Sequence, residues 1–290
     1  MSVLALFGAT ASGKTAVAEV LAQRIPAEIV SADSMQVYRG LPILTNQGAG
    51  RLVGIWPTDR QRTVGEYQAL AHAAIDEILE SGRTPILVGG SGLYFRAALV
   101  DLALPPHVTE DERLHWERLY DRFGAEIAHG LLRERDPRAA AQVHANDRKR
   151  VVRALELWRA GASLVPPASR LWTDETRHPT TIVGLDVPRE VLDERIALRA
   201  RAMFEQGVEH EVEEAGEIVP QVLGFEAVRS LPRTEAEIEI VRATRRLASY
   251  QRKWMRRIPG VVMVAAGGPV DEVVDAILKV ARARQQLPAG

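Results

Sequence analysis

The chain has 290 residues, 46% of them hydrophobic and 26% charged, with a formal net charge of −1. This excludes a disordered polyelectrolyte and gives the molecule as a whole no electrostatic preference for nucleic acid. It contains no cysteine, which excludes disulfides and cysteine-ligated metals and suits a reducing cytoplasm. No apolar run reaches the roughly 18 residues that span a bilayer, and Met1-Ser2-Val3-Leu4 shows no basic leader; an unprocessed cytoplasmic protein without a membrane partner is expected.

Residues 3–7 form a short apolar run that leads into Gly8-Ala9-Thr10-Ala11-Ser12-Gly13-Lys14-Thr15, followed by a helical stretch over about 14 to 25 and a second apolar run at 28–31. The loop fits G-x-x-x-x-G-K-[ST], and its strand-loop-helix setting is the one in which backbone N–H groups wrap a diphosphate. Gly8 and Gly13 allow the tight turn, Thr10, Ala11 and Ser12 line it, Lys14 counters phosphate charge, and the Thr15 hydroxyl is the expected ligand of Mg²⁺.

After the second run comes Ser31-Ala32-Asp33-Ser34-Met35-Gln36-Val37-Tyr38. Ligands of open α/β sheets sit at the carboxyl ends of the strands, so Asp33 is expected beside the phosphate loop, able to accept a proton or bind Mg²⁺ through water. The competing reading, less favoured than a functional one, is that Asp33 and Ser34 only cap a turn. The run at 85–88 ends in Gly89-Gly90-Ser91-Gly92-Leu93-Tyr94, without the acid that places a hydrolytic water in P-loop hydrolases.

Runs at 181–187 and 261–264 complete the pattern of buried strands alternating with helices, which predicts an α/β, P-loop NTPase-like core with a mostly parallel sheet flanked by helices. Between Pro105 and Pro179 only charged helical segments occur, so a helical insertion domain over 106–178 is expected to divide the core into 1–105 and 179–290. Within it Asn146 reads as an N-cap, with Val151, Val152, Leu155 and Trp158 as an apolar stripe ending at Gly161, and 163–179 reads as a loop.

From Arg242 to Arg257 there are seven basic residues and no acid: Arg242, Arg245, Arg246, Arg252, Lys253, Arg256 and Arg257. On a helix Ala243, Leu247, Tyr250, Trp254 and Ile258 would dock, leaving the cations outward for phosphates. Arg148, Lys149, Arg150 and Arg153 form a second cluster. Two basic faces suggest a clamp around an RNA stem-loop.

The phosphate loop, the Asp33-to-Gly40 stretch and Val88-Gly89-Gly90-Ser91-Gly92-Leu93-Tyr94, in this order and spacing, resemble the tRNA dimethylallyltransferase family. So do Asp136-Pro137-Arg138, His144-Ala145-Asn146-Asp147-Arg148-Lys149-Arg150, the segment from Arg195 through Arg199 to Glu211-Val212, and Gln221-Val222-Leu223-Gly224-Phe225. Departures are Ser91 where the family usually has threonine, Ala145 where it has proline, and divergent stretches at 43–47 and 52–57.

The resemblance implies transfer of a dimethylallyl group from dimethylallyl diphosphate to N6 of the adenosine beside the anticodon, with Mg²⁺ as cofactor and the tRNA anticodon stem-loop as partner. It implies a catalytic set of Asp33, Lys14, Thr15 and Ser91. It also implies tRNA contacts by Asp33, Ser34, Met35, Gln36, Ser91, Asn146, Asp147, Arg148, Lys149, Arg150, Gln221, Arg245, Arg252 and Arg256. A channel with tRNA at one mouth and the prenyl donor at the other is expected, in a monomer. Taken without the resemblance, the residues also fit a P-loop kinase of a small metabolite or a noncatalytic, nucleotide-gated RNA-binding protein.

Overall fold

The structure, a computed structural model, describes residues 2–104, 108–165, 170–218 and 221–284. Among them five strands form one all-parallel sheet in the order β2-β3-β1-β4-β5: β1 (Val3–Gly8), β2 (Ala27–Ala32), β3 (Thr84–Gly89), β4 (Thr180–Asp186) and β5 (Val262–Ala265). Every residue of β1 and β3 is buried, as helices on both faces require. Edge strand β5 exposes Met263 and Ala265 and buries Val264.

Register positions the site. Phe7 pairs with Gly89 and Gly184, and Ala32 pairs with Gly89, so the strands end level with one another. The segments that follow, the phosphate loop, Asp33-Ser34 and Gly90-Ser91, therefore emerge at one edge of the sheet.

The chain divides into two compact units, one of residues 1–101 and 171–290, the other of residues 102–170. The first holds the sheet together with α1 (Lys14–Arg24), α2 (Pro42–Thr45), α3 (Val64–Glu80) and α4 (Gly92–Leu99). The second holds α5 (Glu110–Phe123), α6 (Ala125–Arg135), α7 (Pro137–Ala140) and α8 (Arg148–Arg159) around Trp116, Ala128, Leu132, Val151 and Leu155. The first unit resumes with α9 (Arg189–Glu205), α10 (Val208–Ala215), α11 (Phe225–Ser230), α12 (Arg233–Met255) and α13 (Val270–Ala283). No described helix is long and apolar enough to cross a membrane.

Three local expectations are corrected. The N-cap of α8 is Asp147, whose carboxylate accepts from Arg150 N at 3.2 Å, while the Asn146 N–H donates to His144 Nδ1 at 3.1 Å. The 163–179 stretch includes a 3-10 turn at Arg170–Trp172. The buried face of α12 is Ala236, Ile240, Thr244, Ala248, Gln251 and Met255; of the expected stripe Ala243, Leu247 and Trp254 are only half-buried, and Tyr250 is 57% exposed. Hydropathy misplaces the face because two of the residues turned inward, Thr244 and Gln251, are polar and line the cavity described below.

The strand-edge helix α4 carries a charge into the core. Arg96 is fully buried and donates from Nε to Leu171 O at 2.9 Å and from Nη2 to Thr173 O at 2.7 Å, fastening the returning chain. Burial lowers its pKa. Replacing it by methionine keeps the volume and strips both carbonyls of a charged donor. Arg96→Met is expected to lower unfolding free energy by about 2 to 4 kcal/mol in urea titrations; an unchanged midpoint would show that these bonds contribute nothing.

Candidate active site

At the level strand ends lies a cavity of about 490 Å³. Its polar half is formed by Thr10, Ala11, Gly13, Lys14, Thr15 and Asp33, with Arg195 and Arg199 from α9; its apolar half includes Ile43, Leu44, Met203, Leu223 and Ile240. Ala11 and Gly13 have φ of 63° and 85°. These left-handed residues turn the loop into a concave nest of amides, a shape that suits an anion and costs about 1 to 2 kcal/mol at the alanine.

Lys14 Nζ donates to Ala9 O at 2.7 Å. Loss of hydration pulls its pKa down to about 8, against the carboxylate of Asp33, which raises it; the guanidinium of Arg199 lowers it further. Arg199 Nη1 donates to Thr10 Oγ1 at 3.1 Å, and burial lowers its pKa too. A Cβ built on Gly13 would lie 4.0 Å from Arg195 Nη1. Three cations thus face one carboxylate among the described residues that line this half-enclosed space. Ser12 Oγ and Arg199 Nε are buried with no hydrogen-bond partner among the described residues.

Asp33 Oδ1 accepts from Met35 N at 2.9 Å. Turn-capping and a place in the cavity therefore coexist in one side chain. Ser91 Oγ accepts from Ser34 N and shares a hydrogen bond with Ser34 Oγ, both at 3.1 Å, which locks the segments after β2 and β3 together. The Gln36 amide donates to Thr45 O at 3.3 Å and Asn46 O at 2.7 Å and accepts from Ser31 Oγ at 3.1 Å, so it shapes the wall around α2. Met35 Sδ accepts from Leu223 N at 3.5 Å.

The other expected contacts are not among the residues that line this cavity. Gln221 is exposed ahead of α11. Asn146, Asp147, Arg148, Lys149 and Arg150 belong to the unit of residues 102–170, where Arg148 makes two 2.7 Å bonds to Asp121. On α12, Arg242 pairs with Glu239, Arg245 with Asp193 at 3.3 Å and Arg252 with Asp186 at 3.6 Å. Among the described residues Arg246, Lys253 and Arg256 make no ion pair and are exposed. Carboxylates on neighbouring segments thus relieve part of the repulsion that a run of seven cations implies.

Residues 36–258 match the IPP transferase family and residues 1–60 the isopentenyl transferase family. The chain belongs to the tRNA dimethylallyltransferase family. Curated relatives named tRNA dimethylallyltransferase include that of Salinispora arenicola, 37% identical across 97% of this chain and 88% of the relative, and that of Streptomyces avermitilis, 39% identical across 89% and 88%. The solved tRNA isopentenylpyrophosphate transferase of Bacillus halodurans is 29% identical with a TM-score of 0.68, covering 98% of each chain. A eukaryotic dimethylallyltransferase crystallised acting on tRNA shares the fold at 22% identity and a TM-score of 0.78, over 97% of this chain and 77% of that one.

In this member of the tRNA dimethylallyltransferase family three side chains that motif reasoning left without a role help to build the site. Arg199 reaches the loop from α9. Gln251 accepts from Thr10 N at 2.7 Å. Glu211, buried and with its pKa raised by burial, accepts from Ile43 N at 2.6 Å and Leu44 N at 2.8 Å and so fixes α2 against the cavity. Arg199 and Glu211 are signalled in the sequence by the family resemblance of the segment from Arg195 to Val212, without a role; Gln251 has no such signal.

The lowered pKa of Lys14 has a measurable consequence. Below about pH 8 its ammonium is charged and attracts an anion; above it the charge fades before any anion binds. The ratio of wild-type to Lys14→Arg affinity for inorganic diphosphate, which cancels the ligand's own titration, is expected to fall as pH rises from about 7 to about 9.5. Isothermal titration calorimetry measures it, and a constant ratio would remove Lys14 from the anion site.

Proposed function

We propose that this chain transfers the dimethylallyl group of dimethylallyl diphosphate to N6 of the adenosine adjacent to the anticodon of tRNA, releasing diphosphate, as a cytoplasmic monomer. The observation that carries this reading is the excess of positive charge in the cavity, with an apolar half beside it and one carboxylate on the neighbouring strand end. The anion nest takes the diphosphate, the apolar half takes the five-carbon chain, and Asp33 faces the incoming amine. No acid follows β3 to place a hydrolytic water, since that strand runs into Gly90-Ser91.

The N6 lone pair attacks C1 of the allyl group as the C1–O bond breaks, and the diphosphate leaves with the electron pair. Negative charge grows on the leaving group, so Lys14, Arg199 and the amides of the nest stabilise the transition state more than the ground state. The proton lost from N6 passes to the Asp33 carboxylate. Ser34 and Gln36 border the nucleotide, and the Ser91 hydroxyl lies near the reacting centre, positioned by its bond to Ser34. Extruding the base from the anticodon loop costs a few kcal/mol, recovered by interactions in the cavity.

The residues fit a Mg²⁺ ion held through substrate. The Thr15 hydroxyl lines the cavity beside Asp33, and no cluster of three or more His, Cys, Asp or Glu occurs among the described residues; an ion bound by one hydroxyl, phosphate oxygens and waters is the usual arrangement for Mg²⁺. When bound, the ion supplies charge neutralisation of the departing diphosphate.

RNA affinity is assigned to the exposed cations of α12, chiefly Arg246, Lys253 and Arg256, and to Lys149 and Arg150 of the other unit, with Asn146, Asp147, Gln221, Arg245 and Arg252 at the margins of these surfaces.

Incubating unmodified tRNA with the protein and dimethylallyl diphosphate is expected to add the mass of one dimethylallyl group in place of a hydrogen; transfer of phosphate from ATP to a small metabolite instead would overturn the reading. Asp33→Asn keeps an acceptor for Met35 N and removes the base. Its turnover is expected to fall by about 10² to 10⁴ with tRNA affinity retained, measured by single-turnover prenylation; normal turnover would remove Asp33 from the chemistry. Replacing Arg246, Lys253 and Arg256 with glutamine is expected to lower the slope of log affinity against log salt by roughly 0.7 to 0.9 for each phosphate interaction removed. The double variant of the paired Arg242 and Arg245 should change it less, and equal effects would refute the distinction.

A further inference from the structure

Gln251 stands where three segments meet. It lies on α12, 4% exposed, and its Oε1 accepts from Thr10 N at 2.7 Å across 241 residues of sequence. A Cβ added to Gly90 would fall 2.5 Å from Gln251 Nε2 and 2.8 Å from Gly8 O. The amide therefore fills the space between the start of the phosphate loop and the turn that presents Ser91.

The loop needs such a fixture. Ala11 holds a left-handed φ of 63° without being glycine, a strain that a free loop would relieve by relaxing. Thr10, the residue before it, is tied twice: its N–H to Gln251 and its hydroxyl to Arg199. The Thr10 N–H is taken by Gln251 and the Ser12 N–H by Ala9 O at 3.2 Å, which leaves the amides of Ala11, Gly13, Lys14 and Thr15 for the anion. The Gly90-Ser91 turn packed against the same glutamine is joined through Ser91 to Ser34, beside Asp33.

We propose that Gln251 is a positioning residue that holds the phosphate nest in its anion-binding shape and in register with the Ser34–Ser91 pair, so that leaving group and nucleophile are aligned by one buried side chain. This rests on the function proposed above. It makes α12 serve both substrates, with cations on its outer face and a loop fixture on its inner one. It also gives a reason for the absence of a side chain at position 90.

The test compares full-length wild type, Gln251→Met, Gly90→Ala and the double variant. Methionine matches the volume of glutamine without the acceptor, and the added methyl at Gly90 presses on both the amide and the backbone Gly8 O while leaving the amide present. Inorganic diphosphate binding by calorimetry, KM for each substrate, kcat and melting temperature are read for each. Both single variants are expected to weaken diphosphate binding and raise KM for dimethylallyl diphosphate by about tenfold, the size of one net hydrogen bond. KM for tRNA should stay within about twofold, and the double variant should be no worse than the worse single one.

Wild-type diphosphate affinity in Gln251→Met would overturn the proposal, as would losses at both substrates that track melting temperature. Should either single variant fail to fold, protection of the Thr10 amide from hydrogen exchange in the free wild-type protein decides: protection supports the bond to Gln251, and exchange at the rate of an open loop overturns it. Failure of wild type to bind diphosphate at all would instead refute the function on which the proposal rests.

Discussion

A half-enclosed space that gathers Lys14, Arg195 and Arg199 around a single carboxylate among its described lining residues carries an excess of positive charge that an entering anion would neutralise. The Lys14 pKa falls to about 8 chiefly because burial strips its hydration, with the guanidinium of Arg199 adding to the effect and Asp33 opposing it. Most other features of the site serve to hold these charges together. Parallel register brings three strand ends level, the left-handed residues of the loop turn its amides inward, and α9 and α12 deliver Arg199 and Gln251 to Thr10 from far along the chain.

The same charge logic separates this site from that of a hydrolase. A water-activating acid after β3 would add a second negative group to the nest. Instead that position is glycine followed by Ser91, whose hydroxyl is engaged by Ser34. Asp33 remains the one carboxylate among the described residues that line the cavity, held in place by its bond to the Met35 amide. Capping a turn and serving as a base are thus compatible: one oxygen fixes the side chain and leaves the carboxylate's other oxygen for chemistry.

Much of this was legible in the residues. Five apolar runs matched five strands to within two residues, because strands buried on both faces carry an unbroken hydrophobic signal. The loop from Gly8 to Thr15 was recognisable because its chemistry is local. What escaped was non-local. Nothing near Arg199, Glu211 or Gln251 announces that each reaches a backbone or hydroxyl group more than a hundred residues away. The docking face of α12 was misplaced for the same reason, since Thr244 and Gln251 are polar but face the cavity, whereas Tyr250 is apolar in pattern and faces outward. At α8 the choice between Asn146 and Asp147 was beyond pattern, as adjacent residues can both cap and the local turn decides. The basic stretch of α12 read as a uniform cationic surface because its partners Asp186 and Asp193 lie on other segments.

The central claim is that the charge-rich cavity is built for a departing diphosphate. A crystal structure with inorganic diphosphate and Mg²⁺ tests it most directly. The account predicts both phosphates in the nest, within hydrogen-bond reach of Lys14 Nζ, Arg199 and the amides of Ala11, Gly13, Lys14 and Thr15, with Asp33 on the open side. Diphosphate bound elsewhere on the protein while the nest stays empty at saturating concentration would contradict it.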